Sequence, residues 1–354
     1  MCFVERRCCA PHKIFSMPTP TNLLALLKVF PATRALVVGD AVLDDYWHGR
    51  AARLSREAPI PVLEWEGQQS IPGGACNPAA NIAAVGGRVI QAGIIGVDAE
   101  GERLRELLSA RGIIPDGLIT DATRQTTTKT RIMAHMGLRF PQQVARIDRV
   151  SRHPLSETSE HALIAVMESH AERVQAIILS DYLSGAVTAK VAAAARQIGA
   201  ARGLFLAADA QGDLAKFAGF DMVKCNADEL QRYSRQAVTS NEEFAAVGRQ
   251  LAMDYAVKGV VLVTRGAEGI SLCPARGEAF HLPAPQVTDV YDTVGAGDTV
   301  LAVVSMARLA GGSYAQSAAL ANLAAGIVIR KVGNYTPSLD ELREAVAMRE
   351  EGQG

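Results

Sequence analysis

Five short segments of the 354-residue chain repeat one pattern, and a chain built this way has few folds open to it. "RALVVGD" (Arg34 to Asp40), "RVIQAGIIG", "VQAIILSD", "GLFLAAD" and "GVVLVT" are continuous apolar runs, mostly closed by Gly or Asp. Runs of this length without polar alternation are strands buried on both faces. Helical stretches separate them. "GERLRELLSARG" places Leu104, Leu107 and Leu108 on one face and stops at Gly112. "TAKVAAAARQIGA" and "NEEFAAVGRQLAMDYAVKG" behave alike, and "SLDELREAVAM" opens with a capping box, Ser338 and Glu341. Strands alternating with helices define an α/β chain: a doubly wound, mostly parallel sheet with helices on both faces. Ligands of such sheets gather at the carboxyl ends of the strands, where Asp40, Asp181 and Asp209 stand.

Two regions break the rhythm. "PIPVLEWEGQQS" (Pro59 to Ser70) and "TTTKTRIMAHMGLRFPQQVARIDRV" (Thr126 to Val150) are β-prone and polar. They read as strands of a small second sheet, a β lid spanning about 54–70 and 126–150, because unstructured loops of that length are uncommon. The first 20 residues are unlike the rest and read as a disordered tail, leaving 21–354 as the folded domain. A net charge of −1 argues against a nucleic-acid partner. No apolar run approaches the roughly 18 residues of a membrane span. Six cysteines without a C-x-x-C pair indicate reduced thiols and a cytoplasmic protein, and seven histidines form no metal-ligand pair at helical spacing.

The chemistry concentrates in "VYDTVGAGDTVLAVVSMARLA" (Val290 to Ala310). Gly295, Ala296 and Gly297 let the backbone approach a ligand, and the helix that follows aims free N–H groups at it. The helix dipole adds about half a positive charge. A pure phosphate cradle is weakened by the next residue, Asp298. A phosphoryl-transfer site gains from it: the carboxylate takes a proton from an acceptor hydroxyl while N–H groups hold the migrating group. The alternative is an Asp that merely complements the dipole. No Walker A motif occurs, and no G-x-G-x-x-G follows the first strand. That strand leads instead into "GDAVLDDYWHG", whose Asp40, Asp44 and Asp45 suit either sugar hydroxyls or a turn. In "PGGACNPAANIAAVGG" (Pro72 to Gly87), Gly73 and Gly74 permit close backbone approach, and Asn77 either contacts a polyol or caps a helix.

Together these motifs resemble the ribokinase-like, or PfkB, carbohydrate kinases, over about Arg34 to Val346. "GGACNPAANIAAVGG" and "DTVGAGDT" match that family's two signatures, and "KCNADE" and "LVTRGAEGI" resemble its nucleotide-side elements. A narrower resemblance, through "VVGDAVLDDYWHGRAARLSREAPIPVLEW", "RIDRV", "LSDYLSG" and "ANLAAGIVIRKVGNYTPSLDEL", is to the members that act on D-glycero-β-D-manno-heptose 7-phosphate. Many of those are fused to an adenylyltransferase; this chain ends at Gly354, as expected of a stand-alone kinase.

The resemblance implies ATP and Mg²⁺, a sugar phosphate substrate, and lid strands that double as a homodimer interface. It makes Asp298 the catalytic base and Gly295, Ala296 and Gly297 the anion hole. Asn226 and Glu229 fall in the nucleotide and magnesium region, Glu229 acting on the metal through water. Thr264, Arg265, Gly266 and Gly269 would line phosphates or ribose, and Asn322 would lie near adenine. Asp40, Asp44, Gly73, Gly74 and Asn77 would hold sugar. By analogy a monovalent cation would sit near Asp292 and Lys331 to Gly333. Two lysines that close relatives carry, in D-Y-x-K-G and D-P-K-G, are absent: Leu183 and Ser184 stand in "DYLSG" and Gln211 in "DAQG", and "KCN" replaces T-P-N. Lys129, Arg131, Arg139, Arg146 and Lys190 are candidates to replace them.

Overall fold

The computed structural model describes residues 19–137, 141–151, 153–285, 290 and 292–351; residues 1–18 of the expected tail lie outside them. The strands are β1 (Arg34–Gly39), β2 (Ala41–Leu54), β3 (Pro61–Gly74), β4 (Arg88–Ile95), β5 (Ile114–Thr120), β6 (Thr127–His135), β7 (Gln142–Arg149), β8 (Ala176–Asp181), β9 (Phe205–Ala210), β10 (Met222–Asn226), β11 (Val260–Thr264), β12 (Ile270–Pro274) and β13 (Phe280–Leu282). The helices are α1 (Pro20–Leu27), α2 (Cys76–Ala84), α3 (Ala99–Ala110), α4 (Glu157–His170), α5 (Ala189–Arg202), α6 (Ala227–Ser234), α7 (Asn241–Asp254), α8 (Ala296–Leu309), α9 (Tyr314–Val328) and α10 (Leu339–Glu351).

The main sheet runs β13-β12-β11-β10-β9-β8-β1-β4-β5. Its pairs are parallel from β11 to β5, and β12 and β13 close the far edge antiparallel. Each apolar run supplies alternate residues to two cores. Val37, Ile178, Ala207, Met222 and Leu262 pack under α1, α2, α8, α9 and α10. Leu36, Leu179, Ala208, Val223 and Val261 pack under α4, α5, α6 and α7. Helix α8 is buried on every side from Asp298 to Ala307, which accounts for its unbroken apolar sequence.

The lid is a four-stranded sheet, β3-β2-β6-β7. It is larger than the sequence suggests, because it begins at Ala41. "AVLDDYWHG", whose aspartates suit either sugar hydroxyls or a turn, forms the first nine residues of a 14-residue strand. β2 pairs antiparallel with β3 from Ala41↔Gly74 to Leu54↔Pro61 and parallel with β6. Adjacent carboxylates are tolerated because successive side chains point to opposite faces. Asp44 turns one way and meets Arg131 and Asn334. Asp45 turns the other way and meets Trp47, Gln68 and Ser70. One residue at each end joins lid to sheet: Asp40 links β1 to β2, Ala75 links β3 to α2, and Ala75 N donates to Asp40 O at 2.9 Å.

The strand order reverses between β1 and β8, so the crevice lies at their carboxyl ends. Asp40 stands there but is not available to a sugar. Its Oδ2 accepts from Tyr182 N at 2.8 Å and Ser184 N at 3.0 Å, and its Oδ1 accepts from Ala186 N at 2.9 Å. Asp40 thus folds the loop after β8 over the crevice, which corrects the expectation that it binds substrate. Replacing it strands three amide donors, at about 1–3 kcal/mol for a buried one. Asp40→Ala is therefore expected to lower the unfolding free energy by roughly 3 kcal/mol or more in urea titrations. A loss well under 1 kcal/mol would show that the loop closes without this carboxylate.

Candidate active site

Helix α8 starts in an unusual way. Among the described residues seven helices carry a side-chain cap: Asp98, Ser156, Thr188, Asn226, Ser240, Ser313 and Ser338 each accept from a first-turn amide. At α8 the N-cap is Gly295, with φ 82° and no side chain to offer. A Cβ there would also sit 3.0 Å from Asn334 Oδ1. The first-turn N–H groups that a cap would satisfy remain for a ligand. Helix α2 is likewise uncapped, at Ala75, and it brings Asn77 to the same place. Asn81 on α2 and Thr299 on α8 lock the two helices together, Thr299 Oγ1 donating to Asn81 Oδ1 at 2.8 Å.

Asp298, in the first turn of α8, is 5% exposed. Asn77 Nδ2 donates to its Oδ2 at 3.1 Å, and the Tyr182 hydroxyl reaches Oδ1 at 2.7 Å and Oδ2 at 2.9 Å. Burial first, and then the nearby Asp209 carboxylate, push Asp298 up to about 6, against the pull of Lys224, Tyr182 and Asn77. A carboxylate so tuned has the proton affinity of a general base working near neutral pH.

The sugar side is built on the lid's inner face. Asp44 is 3% exposed; its Oδ1 takes Arg131 Nη1 at 2.6 Å and its Oδ2 takes Asn334 Nδ2 at 3.0 Å. A Cβ on Gly73 would lie 2.2 Å from Asp44 Oδ2, so glycine there makes room for the carboxylate. Gly74 ends β3 beside it. The structure thus gathers Asp44, Gly73, Gly74 and Asn77 around the start of α8, with Asn77 aimed at the base.

On the other side of α8, Asn226 and Glu229 form a capping box on α6: Glu229 N donates to Asn226 Oδ1 at 2.8 Å, and Asn226 N donates to Glu229 Oε2 at 2.7 Å. The N-x-x-E spacing is a helix-start pattern as well as a family element. Glu229 is 6% exposed, and burial raises its carboxyl. Thr264 ends β11, and Gly266 and Gly269 turn the chain into β12. The Arg265 side chain is taken up by protein groups, which leaves its backbone for the phosphate or ribose role expected of it. Its guanidinium stacks 4.1 Å over the Phe244 ring, bonds Asn241 Oδ1 at 2.6 Å and Ser271 Oγ at 3.2 Å, and pairs with Glu268. Asn322 Nδ2 donates to Pro283 O at 2.6 Å, tying α9 to the end of β13. Asp292 accepts from Val294 N at 2.9 Å and Gly333 N at 3.0 Å, which places it beside the segment named for a monovalent cation.

Of the cations proposed to replace the absent lysines, Arg131 is on Asp44 and Lys129 Nζ stands 5.2 Å from the Tyr182 ring centroid. Arg146 is spent on Asp148 and Lys190 on Glu160, both at exposed positions. Arg139 lies outside the described residues. Sequence reasoning missed Tyr182 and Lys224. Both stand in motifs singled out for what they lack, "DYLSG" and "KCN".

A profile of the PfkB family of carbohydrate kinases matches residues 32–341. The chain belongs to this family, and its chemistry is ATP-dependent phosphoryl transfer to a sugar. Curated relatives include the bifunctional protein HldE of Syntrophotalea carbinolica, 37% identical over 92% of this chain and 66% of that protein. HldE of Paramagnetospirillum magneticum is 38% identical over 91% of this chain and 65% of its own length. The chain therefore spans about two thirds or slightly less of these relatives. Among solved structures, Arabidopsis thaliana ribokinase complexed with ribose and ATP superposes with TM-score 0.68 at 19% identity, covering 89% of this chain and 98% of that one. Escherichia coli phosphofructokinase-2 in complex with fructose-6-phosphate gives 0.70 at 18% identity, covering 89% and 98%. At those identities the likeness is one of fold.

A base must be unprotonated to act, so with Asp298 as base, kcat/KM is expected to fall as pH drops through about 6, roughly tenfold per unit below it. Tyr182→Phe removes a hydrogen bond that holds the value down, and the acidic limb should move to higher pH. Turnover flat from pH 7 to 5 would mean that another group takes the proton.

Proposed function

We propose that this kinase phosphorylates the anomeric hydroxyl of D-glycero-β-D-manno-heptose 7-phosphate, giving the 1,7-bisphosphate used toward ADP-heptose and the lipopolysaccharide core. The observation that carries the kinase half of this reading is Asp298: a buried carboxylate of raised proton affinity at an uncapped helix start. The substrate half rests on the resemblance of the lid, "RIDRV" and "LSDYLSG" segments to heptose 7-phosphate kinases, and on relatives that carry the name HldE.

In this reading the sugar lies between the lid and α8. Asp44 accepts from its hydroxyls, with Arg131 and Asn334 keeping the carboxylate in place. Asp298 takes the proton of the anomeric hydroxyl, whose oxygen attacks the γ-phosphorus of ATP as the bond to ADP breaks. N–H groups at Gly295 to Gly297 receive the negative charge that develops on the phosphoryl oxygens. Asn226, Thr264, Gly266, Gly269 and Asn322 frame the nucleotide side. Glu229 keeps Oε1 clear of its capping bond, which fits a carboxylate that holds magnesium through water. Bound Mg²⁺ supplies neutralisation of the phosphate charge. The lid covers the reactants and excludes water that would compete as acceptor.

The homodimer belongs to the same proposal. Trp47, Trp65 and Ile147 are 40%, 62% and 58% exposed on the lid. The two indoles meet edge to face, centroids 5.9 Å apart. By strand register Trp47 and Ile147 lie on the face opposite Asp44. An aromatic patch of this kind suits a second copy of the lid. Trp65→Glu should shift sedimentation toward monomer; a wild-type protein monomeric at tens of micromolar would remove the dimer.

The substrate is tested by ATP consumption across sugar phosphates and free sugars, with the product read by phosphorus NMR. A new anomeric phosphate on the heptose 7-phosphate is expected; transfer only to ribose or a hexose phosphate would reassign the substrate within the family. Asp298→Asn should lower turnover roughly 10²–10⁴-fold. A folded-state pKa raised from 3.8 to about 6 means that ionising this carboxyl destabilises the fold as pH rises through 6. Asp298→Asn should therefore be at least as stable as wild type at pH 7.5 in thermal melts. Near-normal turnover in this variant would remove Asp298 from its role.

A further inference from the structure

The absent lysines leave a question of charge: what cation meets the phosphoryl group in flight? Of the candidate cations read from the sequence, Arg131, Arg146 and Lys190 are ion-paired, Arg139 lies outside the described residues, and Lys129 stands over the Tyr182 ring; Lys216 is paired with Asp181 beneath the loop after β8. Lys224 differs. We propose that Lys224 is a catalytic residue of this kinase, its ammonium held by Asp209 against the start of α8 to contact the transferred phosphoryl group. The inference rests on the kinase reading above.

Lys224 and Asp209 face each other in register on β10 and β9, one strand from the crevice-lining β8. Lys224 Nζ donates to Asp209 Oδ2 at 2.6 Å, with side chains 8% and 2% exposed. A Cβ placed on Gly297 would lie 2.9 Å from Nζ, so the ammonium touches the second residue of α8, one position before Asp298. This is the spot where the sequence puts the anion hole.

The pair is not closed on itself. Among the described residues Asp209 Oδ1 is buried with no hydrogen-bond partner, and Nζ makes this one hydrogen bond although it carries three donors. An ion pair buried only to complement itself is a poor source of stability. An ammonium beside the positive end of a helix is poorly placed unless anions surround it. Asp209 and Asp298 supply part of that charge, and an incoming phosphoryl group supplies the rest.

The step balances without moving a proton from Lys224. Asp298 takes the hydroxyl proton, the sugar oxygen bonds to the γ-phosphorus, and ADP leaves with the electrons of the broken bond. Lys224 stays protonated and donates to phosphoryl oxygens throughout. Gly297 leaves space for this ammonium. A methyl at 297 would push the flexible end of Lys224 aside while leaving the backbone in place.

The test compares ADP with ADP plus aluminium fluoride, a mimic of the phosphoryl group in transfer, by calorimetry in Mg²⁺. Wild type should bind the fluoride complex more tightly than ADP. Lys224→Met should bind ADP as wild type does, lose the gain from fluoride, and turn over roughly 10²–10³-fold more slowly. Gly297→Ala should reproduce the loss in part, and Lys224→Arg should restore some of it. If Lys224→Met fails to fold, Asp209→Asn/Lys224→Met removes both charges and is read the same way. A Lys224→Met protein, or that double variant, that binds the fluoride complex as wild type does overturns the proposal and leaves the kinase reading standing. A wild type that binds neither ADP nor its fluoride complex overturns the kinase reading, and this inference with it.

Discussion

Asp298 is a carboxylate buried at the start of a helix that no side chain caps. Burial and the neighbouring Asp209 oppose negative charge there, whereas Lys224 and the hydrogen bonds from Tyr182 and Asn77 favour it, and the balance leaves the carboxyl near 6. Neither half works alone. A capped α8 would have no amides for a phosphoryl group, and an exposed Asp298 would be too weak a base at neutral pH. The wholly buried body of α8 fixes both in place, because a helix packed on all sides cannot turn its first residues out to solvent.

The three strand-end aspartates show how the surrounding charge is managed. Each is nearly inaccessible, and each has a partner of its own: Asp40 the amides of the loop after β8, Asp181 the Lys216 ammonium, and Asp209 the Lys224 ammonium. Unpaired buried carboxylates would be costly, so each carboxyl-end anion has at least one donor, although Asp209 keeps Oδ1 without a partner among the described residues. Asp298 is held differently. Neutral donors, Asn77 and Tyr182, hold it, and neutral donors can yield to a substrate hydroxyl without stranding a charge.

Much of the fold was legible because apolar runs and helical stripes are local signals. The lid was only partly legible. Pro59 to Ser70 and Thr126 to Val150 read as strands, but Ala41 to Gly49 did not, since two adjacent aspartates suit sugar hydroxyls or a turn and their burial depends on β3 and β6, far along the chain. The glycine loop and Asp298 stood out through their own spacing. Asp40 did not reveal its work, because its three amide partners lie more than 140 residues away. The resemblance put Arg265 at the nucleotide phosphates or ribose; its stacking on Phe244 is a contact between elements that no motif encodes. Lys224 and Tyr182 were in view but were weighed as departures from a pattern. Their proximity to Asp298 arises only when β8, β9 and β10 lie side by side.

The most direct measurement is the titration of Asp298 itself. Carbon NMR of protein labelled at the aspartate carboxyl carbon should show one resonance, absent from Asp298→Asn, that titrates near 6. A resonance that titrates at the ordinary value of 3.8 would contradict the account, because that carboxylate would be open to water and without the proton affinity that sugar deprotonation requires.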